Sequence, residues 1–249
     1  NNQKDRFEYI VTDNLSGIDL VECESNISPI SNCTDKKAIV PTNEGQQEFV
    51  LFARDKAGNI AKPIQYQWFV DRTGPKISWL QTPAKYNNTR TPSFKISAED
   101  QMGVDKIAWS TNGKDFFEGS IDHELNIERE GKKVLFVRAQ DTLGNLSSTL
   151  AYYWIADFTP PELTWIKRAK GVSNNTKANF EVSVQDQLSP TESFCSIDNN
   201  SFLDCSEAFS FSNLEDGMHR TAVYARDLAG NTSNEISHQF LVDTQPPIV

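Results

Sequence analysis

Short runs along the chain alternate apolar and polar residues, and turn residues separate them about every eight to twelve positions. Three such runs, FEYIVTD, FKISAED and FEVSVQD, begin with Phe7, Phe94 and Phe180 and lead into an acidic loop. Alternation with a period of two places every second side chain on one face, which is typical of half-buried β-strands. Because no window of useful length shows a helical period, the pattern predicts an all-β chain.

Two more kinds of run support this interpretation. FVLFARD, LFVRAQD and AVYARD alternate in the same way, and QYQWFVD, YYWIAD and HQFLVD are rich in the aromatic and β-branched residues that strands favour. The inward-facing sets of the alternating runs are Phe49, Leu51 and Ala53, then Leu135, Val137 and Ala139, then Thr221, Val223 and Ala225. Short strands at this density predict two-sheet β-sandwiches of about seven strands each.

One seven-residue stretch occurs three times, as ARDKAGN, AQDTLGN and ARDLAGN. Its aspartates, Asp55, Asp141 and Asp227, are separated by 86 residues in both intervals. Repetition at a fixed period indicates a duplicated structural unit. We therefore expect three tandem domains, at residues 1–72 with the first strand missing, 73–158 and 159–244, with residues 245–249 starting a fourth repeat.

The joints between the expected domains carry proline, in VDRTGP, ADFTPP and VDTQPP. Proline restricts its own φ and the backbone of the residue before it. We therefore expect an extended, semi-rigid array, and we expect the chain to be a segment of a longer one.

A glycine recurs inside the seven-residue stretch, as Gly58, Gly144 and Gly230. A tight hairpin needs a residue with positive φ, which glycine adopts without steric cost. The neighbouring Asp and Asn are expected to hydrogen-bond the local backbone. This interpretation is structural and requires no ligand.

The charge and the absent motifs exclude several functions. The formal net charge of −10 argues against a nucleic-acid partner, because nucleic-acid binding needs a basic face. No apolar run approaches the roughly 18 residues of a membrane-spanning helix, so we expect no membrane insertion by this segment. The sequence has no nucleophile elbow, P-loop or dinucleotide-binding glycine motif, and we expect no enzyme.

The four cysteines form two pairs with the same ten-residue spacing, Cys23 with Cys33 and Cys195 with Cys205. The second repeat has Trp109 and Gly119 at the equivalent positions and so lacks both partners together. This pattern favours two local disulfides, each stabilising by about 3 kcal/mol, which persist in oxidising compartments. A four-cysteine zinc site is the alternative, but such sites use closer C-x₂₋₄-C pairs.

Acidic residues from three segments are expected to meet at each joint. In a sandwich of this kind the B–C and F–G loops lie at one pole, where the linker from the preceding domain also enters. The first joint would gather Asp71, Glu99, Asp100 and Asp141, and the second Asp157, Asp186 and Asp227. Clustered carboxylates are ligands for Ca²⁺, so calcium is a candidate cofactor. The alternative is that these residues cap turns and face water.

The motif set resembles the bacterial immunoglobulin-like (Big-type) repeats of large surface adhesins and secreted bacterial proteins. FCSIDNNSFLDC at 194–205, LEDGMHRTAVYARDLAGN at 214–231 and LVDTQPPIV at 241–249 carry the resemblance. It covers essentially the whole chain, three times over. The resemblance implies three tandem immunoglobulin-like sandwiches, and some adhesins with such repeats stiffen the joints with calcium.

The resemblance also implies a function and a location. The expected function is a non-catalytic stalk that spaces a distal binding domain from the cell, at the bacterial surface or in the extracellular space. The expected partners are the neighbouring repeats of the same chain. The alternatives are a module that binds a host or prey surface protein or a glycan, and a non-catalytic appendage of a secreted enzyme.

Overall fold

The computed structural model describes residues 9–26 and 43–249, which form 19 β-strands and no helix. The all-β class predicted from the alternating pattern is therefore confirmed. In the same ranges, no helix is present that has the length and apolar character to cross a membrane. Phe7 and Cys33 lie outside the described residues.

In the described part of the first repeat, three strands form one antiparallel sheet in the order β1-β2-β3. They are β1 (Ile18–Ser25), β2 (Gly45–Asp55) and β3 (Ile64–Val70). Phe49 and Leu51 on β2 are buried, because every second side chain of the strand points to the same face.

The second repeat contains eight strands in two sheets, with the orders β4-β6-β9 and β5-β11-β10-β7-β8. The strands are β4 (Lys76–Gln81), β5 (Tyr86–Asn87), β6 (Ser93–Glu99), β7 (Val104–Ser110), β8 (Phe117–Gly119), β9 (Asp122–Glu124), β10 (Gly131–Asp141) and β11 (Leu150–Ala156).

The third repeat has eight strands in the orders β12-β14-β17 and β13-β19-β18-β15-β16. The strands are β12 (Glu162–Lys167), β13 (Val172–Ser173), β14 (Ala178–Gln185), β15 (Thr191–Ile197), β16 (Leu203–Cys205), β17 (Ala208–Phe211), β18 (Gly217–Asp227) and β19 (Ile236–Val242).

The second and third repeats therefore have the same topology, strand for strand. In each, the first, third and sixth strands form one sheet, and the short second strand runs parallel to the last strand in the other. In the third repeat, β12, β14 and β17 take the places of strands A, B and E, and they face β15, β18 and β19 in the places of strands C, F and G. This is the arrangement of an immunoglobulin-like sandwich. The predicted fold class is thus confirmed, and the period of 86 residues reflects a repeated topology.

The core of the third repeat lies between its two sheets. Leu163 and Val182 from the three-stranded sheet pack against Cys195 and Val223 from the five-stranded sheet. Cys195 and Cys205 form a disulfide with a Cα–Cα distance of 6.0 Å, which links β15 to β16. The predicted pairing of Cys23 with Cys33 stays a prediction, because Cys33 is outside the described residues.

In the second repeat a tryptophan stands where the third has its disulfide. Trp109 is only 3% exposed, and its Nε1 donates a hydrogen bond of 2.9 Å to the backbone oxygen of Ser120. A Cβ added to Gly119 would lie 2.8 Å from the Trp109 ring, so the glycine leaves room for the indole. The indole thus fills the space that a disulfide occupies in the third repeat.

By Cα proximity the chain divides into two compact units. One holds the described part of residues 1–77 with 98–107 and 138–149, and the other holds 78–97, 108–137 and 150–249. The division runs through the second repeat, so the domain boundaries given above stay a prediction. The acidic residues of the first joint that the structure brings together lie in the first unit, and those of the second joint lie in the second.

Candidate functional site

Three aspartates meet at the first joint, and we call Asp71, Asp100 and Asp141 the Asp71 group. Carboxylate oxygens of the three residues all lie within 4.8 Å of one another. Asp71 follows β3, Asp100 follows β6 and Asp141 ends β10. Asp71 is 6% exposed and Asp141 is 1% exposed, so two of the three carboxylates are buried.

The second joint repeats this arrangement with Asp157, Asp186 and Asp227, the Asp157 group. Their carboxylate oxygens also lie within 4.8 Å of one another. Asp157 follows β11, Asp186 follows β14 and Asp227 ends β18, as in the first joint. Asp157 and Asp227 are buried, whereas Asp186 is partly exposed.

The structure does not bring Glu99 into the Asp71 group. Glu99 is the exposed last residue of β6, and among the described residues the acidic group at this joint contains the other three predicted residues without Glu99. Neighbouring residues of a strand point to opposite faces, so two consecutive acids do not converge on one point. Each joint therefore gathers three carboxylates.

The repeated Asp-x-x-Gly-Asn turn holds the carboxylate that ends the long strand. One oxygen of Asp141 accepts the N–H groups of Leu143 and Asn145 at 2.8 Å each, and the other accepts the side-chain amide of Asn145 at 2.7 Å. Gly144 has a φ of 94°, in the region that favours glycine. Gly58 and Gly230 adopt φ values of 92° and 96° at the equivalent positions.

These contacts determine the charge state of Asp141. Burial raises the pKa of the carboxyl, but the hydrogen bonds from Asn145 and Leu143 outweigh burial and hold the pKa below its ordinary value. The side chain is therefore an anion at neutral pH, as a metal ligand must be.

The asparagine of the turn also reaches the linker from the preceding repeat. The side-chain amide of Asn145 donates to the backbone oxygen of Asp71 at 3.1 Å, and that of Asn231 donates to the backbone oxygen of Asp157 at 2.9 Å. The sequence predicted only local bonds for this residue. Its second bond makes the repeated stretch part of a joint as well as a turn.

A further set of acids, from the repeat that precedes each linker, also binds the linkers. These residues were not identified from the sequence. Glu130 accepts the N–H of Phe158 at 3.1 Å and the hydroxyl of Thr159 at 3.0 and 2.9 Å. The corresponding contacts are Arg72 N–H to Glu44 at 3.0 Å and Thr244 N–H to Asp216 at 2.9 Å. Each of these acids directly precedes a glycine that recurs every 86 residues. The recurrence of an acid before that glycine was the signal in the sequence that could have identified them.

The two groups differ at the linker carboxylate. One oxygen of Asp71 accepts the N–H and hydroxyl of Thr73 at 3.1 Å each. The other, Oδ2, is buried and has no hydrogen-bond partner among the described residues. In the second joint, Oδ2 of Asp157 accepts the hydroxyl of Ser189 at 2.6 Å.

The electrostatics of Asp157 reflect its crowded surroundings. Burial raises the pKa of this carboxyl, the hydrogen bonds from Ser189 and Thr159 lower it, and the charges of Asp186 and Asp227 raise it further. The net pKa lies above the ordinary value of an aspartate. The group borders a cleft of about 600 Å³ that Glu130, Asp186 and Ser189 help to line, so small ions have access to it.

Both groups have the donor chemistry of a hard-cation site. Ca²⁺ binds oxygens at about 2.3–2.6 Å, so three oxygens within 4.8 Å of one another can share one ion. Bringing like charges together in a buried place is unfavourable, and a divalent cation removes that cost. Carboxylate oxygens favour Ca²⁺ or Mg²⁺ over metals that prefer nitrogen or sulfur ligands.

Comparison with known proteins finds structural likeness without sequence relatives. No family model matches the sequence, and no curated protein matches it. Similar solved structures include fibronectin(III)-like modules of Clostridium thermocellum CbhA, with 11% identity, a TM-score of 0.45 and coverage of 67% of this chain and 94% of that chain. Three N-terminal domains of the bacteriophage RB49 outer capsid protein Hoc match with 8% identity, a TM-score of 0.45 and coverage of 91% and 88%.

Chicken CNTN1 domains FN1–FN3 are also similar, with 10% identity, a TM-score of 0.42 and coverage of 89% of this chain and 88% of that chain. At these TM-scores, the fold assignment rests on the strand order given above, and no function is transferred from the neighbours.

Proposed function

We propose that the chain is a non-catalytic structural segment of a bacterial surface or secreted repeat protein, in which immunoglobulin-like domains space a distal binding domain from the cell. The observation that carries this proposal is the attachment of each linker. Glu130 of the repeat before the second linker accepts the N–H of Phe158, and Asn231 of the repeat after it donates to the backbone of Asp157. A linker held on both sides limits the motion of one repeat against the next, as a spacer requires.

Two further observations support the proposal. The disulfide between Cys195 and Cys205 suits an oxidising compartment such as the extracellular space. The acidic groups of the described residues recur with the fold, in equivalent positions of successive repeats. Residues that repeat with the fold are better explained by the architecture than by a catalytic site, which a chain would not need in several copies.

The proposal is tested by measuring the motion at the second joint. Spin labels at exposed positions 114 and 201, one in each flanking repeat, report the spread of distances by pulsed electron paramagnetic resonance. We expect a narrow distribution in the wild-type chain and a broader one when Glu130→Ala and Asn231→Ala are combined. The linker then loses its bonds to Glu130 and to the Asn231 amide and keeps the bond from Ser189 to Asp157. Asn59→Ala, the equivalent change outside this joint, is the control and should leave the width unchanged. A broad distribution in the wild-type chain would contradict the proposal.

We also propose that a joint binds Ca²⁺ as a stiffening ion. Support comes from the three carboxylates within 4.8 Å at each joint and from the buried Oδ2 of Asp71, which lacks a donor among the described residues. A ligand that binds only the folded state raises its stability. The melting temperature should therefore rise with Ca²⁺ relative to EGTA, and a shift below about 1 °C at saturating Ca²⁺ would contradict this part of the proposal.

A ligand-binding module is the second candidate, and one observation favours it. In the third repeat the rings of Phe194 and Tyr224 stack at 5.0 Å, and Phe202 meets Tyr224 edge-on at 4.9 Å. The second repeat has Ala108 and Arg138 at the positions of the stacked pair. Aromatic faces of this kind can stack against sugars. Binding on a glycan array that is lost in Phe194→Ala with Tyr224→Ala would favour this candidate over a spacer.

A further inference from the structure

The two joints can be compared position by position, because the repeats share one topology. Asp71 corresponds to Asp157 at the interval of 86 residues, and Gly103 corresponds to Ser189. Gly103 lies in the loop after β6 and Ser189 in the loop after β14, three residues beyond Asp100 and Asp186 respectively. The loop residue is therefore the place where the two joints differ next to otherwise equivalent carboxylates.

In the first joint a buried carboxyl oxygen lacks a hydrogen-bond donor among the described residues. Asp71 is 6% exposed, and its Oδ2 has no hydrogen-bond partner among the described residues. An unpaired charged oxygen inside a protein is costly, since it has given up water and received nothing in return. Oxygens of Asp100 and Asp141 lie within 4.8 Å, so the neighbours add further negative charge.

In the second joint the same oxygen is satisfied by a neutral donor. Ser189 is buried, and its hydroxyl donates to Oδ2 of Asp157 at 2.6 Å. A hydrogen bond from a hydroxyl to a carboxylate stabilises the anion without a cation. At this joint one lone pair of that oxygen is already engaged, so a cation gains less from the oxygen than it would from a free one.

The first joint cannot adopt the same solution with its present backbone. Gly103 has a φ of 87°, which residues with a side chain rarely adopt, although a Cβ there would meet nothing within 4 Å. Ser189 has no positive φ, and Pro190 follows it in the chain. The two loops therefore differ in backbone conformation as well as in side chain.

We infer that the two joints differ in their requirement for a cation: the Asp71 group binds a divalent cation tightly, whereas the Ser189 hydroxyl takes part of that role at the Asp157 group and weakens binding there. This inference rests on the calcium binding proposed above. It makes the first joint responsive to the calcium concentration and the second largely independent of it.

The first experiment counts the sites by isothermal titration of the full chain, stripped with EGTA, with Ca²⁺ alone. We expect one tight site, and a second that is at least about tenfold weaker because the Ser189 hydroxyl already stabilises the carboxylate oxygen there. Asp71→Asn should remove the tight site, and Asp157→Asn should leave it intact. Two sites of equal affinity, or loss of the tight site in Asp157→Asn alone, would overturn the inference while leaving the calcium proposal standing.

The second experiment removes the hydroxyl. Ser189→Ala leaves Oδ2 of Asp157 without a donor, so calcium affinity at the Asp157 group should rise about tenfold towards that of the Asp71 group. Ser189→Thr, which keeps a hydroxyl, is the matched control and should resemble the wild type. Unchanged or weaker binding in Ser189→Ala would show that the hydroxyl is itself a ligand or irrelevant, and would overturn the inference.

A third measurement separates failure of the inference from failure of the calcium proposal. In EGTA, Ser189→Ala should melt at a lower temperature than Ser189→Thr, and Ca²⁺ should restore part of the difference. If no variant binds Ca²⁺ and none is stabilised by it, the calcium proposal fails and the inference fails with it. If Ca²⁺ raises the melting temperatures of Asp71→Asn and Asp157→Asn equally, the two joints bind it equally, and the inference alone is contradicted.

Discussion

The two joints of this chain use the same frame and balance its charge differently. Each places three aspartates together, two of them buried, and ties the linker to the next repeat through an asparagine. At the second joint Ser189 donates to the linker carboxylate, whereas at the first the equivalent oxygen has no donor among the described residues. The comparison shows that the residues common to the repeats form the joint. Residues that differ between the repeats, such as Ser189, determine how the charge of the linker carboxylate is balanced.

A second difference lies in the linkers themselves. Gly74 lies so close to the turn after β10 that an added Cβ would clash with the backbone oxygen of Leu146. The equivalent residue of the second linker is Pro160. The first joint therefore depends on a missing side chain, whereas the second accommodates a ring at the same point in the chain.

The largest expected effect tests what the joints share. Asp141→Ala removes the acceptor of three hydrogen bonds and Asp227→Ala the acceptor of two, and each change should lower the free energy of unfolding by about 2 to 3 kcal/mol, after some relief of repulsion among the aspartates. Urea denaturation in EGTA measures this change. The control is Asp55→Ala, in the copy of the motif that is not buried, and its effect should be clearly smaller. Equal losses in all three variants would show that the joints add nothing to the local turn.

The next effect should appear at the first joint alone. Gly74→Ala forces a methyl group against the Leu146 backbone and should cost about 2 kcal/mol through overpacking. Pro160→Ala at the second joint should change the free energy of unfolding by less than about 1 kcal/mol. The two variants are compared in one series of denaturation curves. If Gly74→Ala left the free energy of unfolding unchanged, the proposed difference between the two linkers would be wrong.

A smaller effect should be common to both joints. Asn145→Ala and Asn231→Ala remove side-chain bonds to an aspartate and to a linker carbonyl, and each should lower stability by about 1.5 kcal/mol. For Asn59 the described side-chain bond is the one to Asp55, so Asn59→Ala should cost less. If Asn59→Ala proved the most damaging of the three in thermal melts, the linker contacts would not contribute to stability.

The smallest effect distinguishes the third repeat by its response to pH. His219 contacts the backbone oxygen of Glu215 at 2.8 Å and the carboxylate of Asp198 at 2.7 Å, and the second repeat has Lys133 at this position. The Glu215 oxygen raises the pKa of His219 most, burial opposes it, and the hydrogen bond and charge of Asp198 raise it further. The net shift is upward, which favours the protonated ring in the folded protein.

The sign of this pH effect follows from the raised pKa. The stabilisation is complete below the pKa of the unfolded state, about 6.5, and is lost as the pH rises through the higher pKa of the folded state. Stability measured from pH 5 to 8 should therefore fall on the alkaline side, by less than about 1 kcal/mol because of solvent screening. His219→Gln should remove this dependence, and an unchanged pH profile in that variant would assign the titration to another group.

Much of the fold could be predicted from the sequence because alternation and repetition report directly on strands and on duplication. Buried positions such as Phe49, Val137 and Val223 follow the alternating pattern. The convergence of Asp71, Asp100 and Asp141 also followed from the topology of a sandwich. These inferences needed only the period of the chain and the general positions of its loops.

The remaining parts of the site depend on which side chains are buried and on residues that differ between the repeats, and neither follows from the repeated pattern. Glu99 is next to Asp100 in the chain, yet it is the exposed last residue of β6 and is not part of the Asp71 group. The role of Ser189 could not be predicted from the repeat, because the equivalent residue is Gly103. Only the structure shows that the Ser189 hydroxyl donates to the buried Oδ2 of Asp157 and that the equivalent oxygen of Asp71 lacks a donor among the described residues. Glu44 and Glu130 were in register but resembled ordinary surface acids.

Hydrogen exchange of the linker amides tests the central claim, that the linkers are attached to the flanking repeats, most directly. The N–H groups of Arg72 and Phe158 donate to Glu44 and Glu130 at 3.0 and 3.1 Å, so both should exchange much more slowly than amides of an unstructured chain. Slow exchange at both positions, accelerated at Phe158 in Glu130→Ala but not at Arg72, is the predicted result. Exchange at the unprotected rate at both amides, while the flanking strands stay protected, would contradict the account.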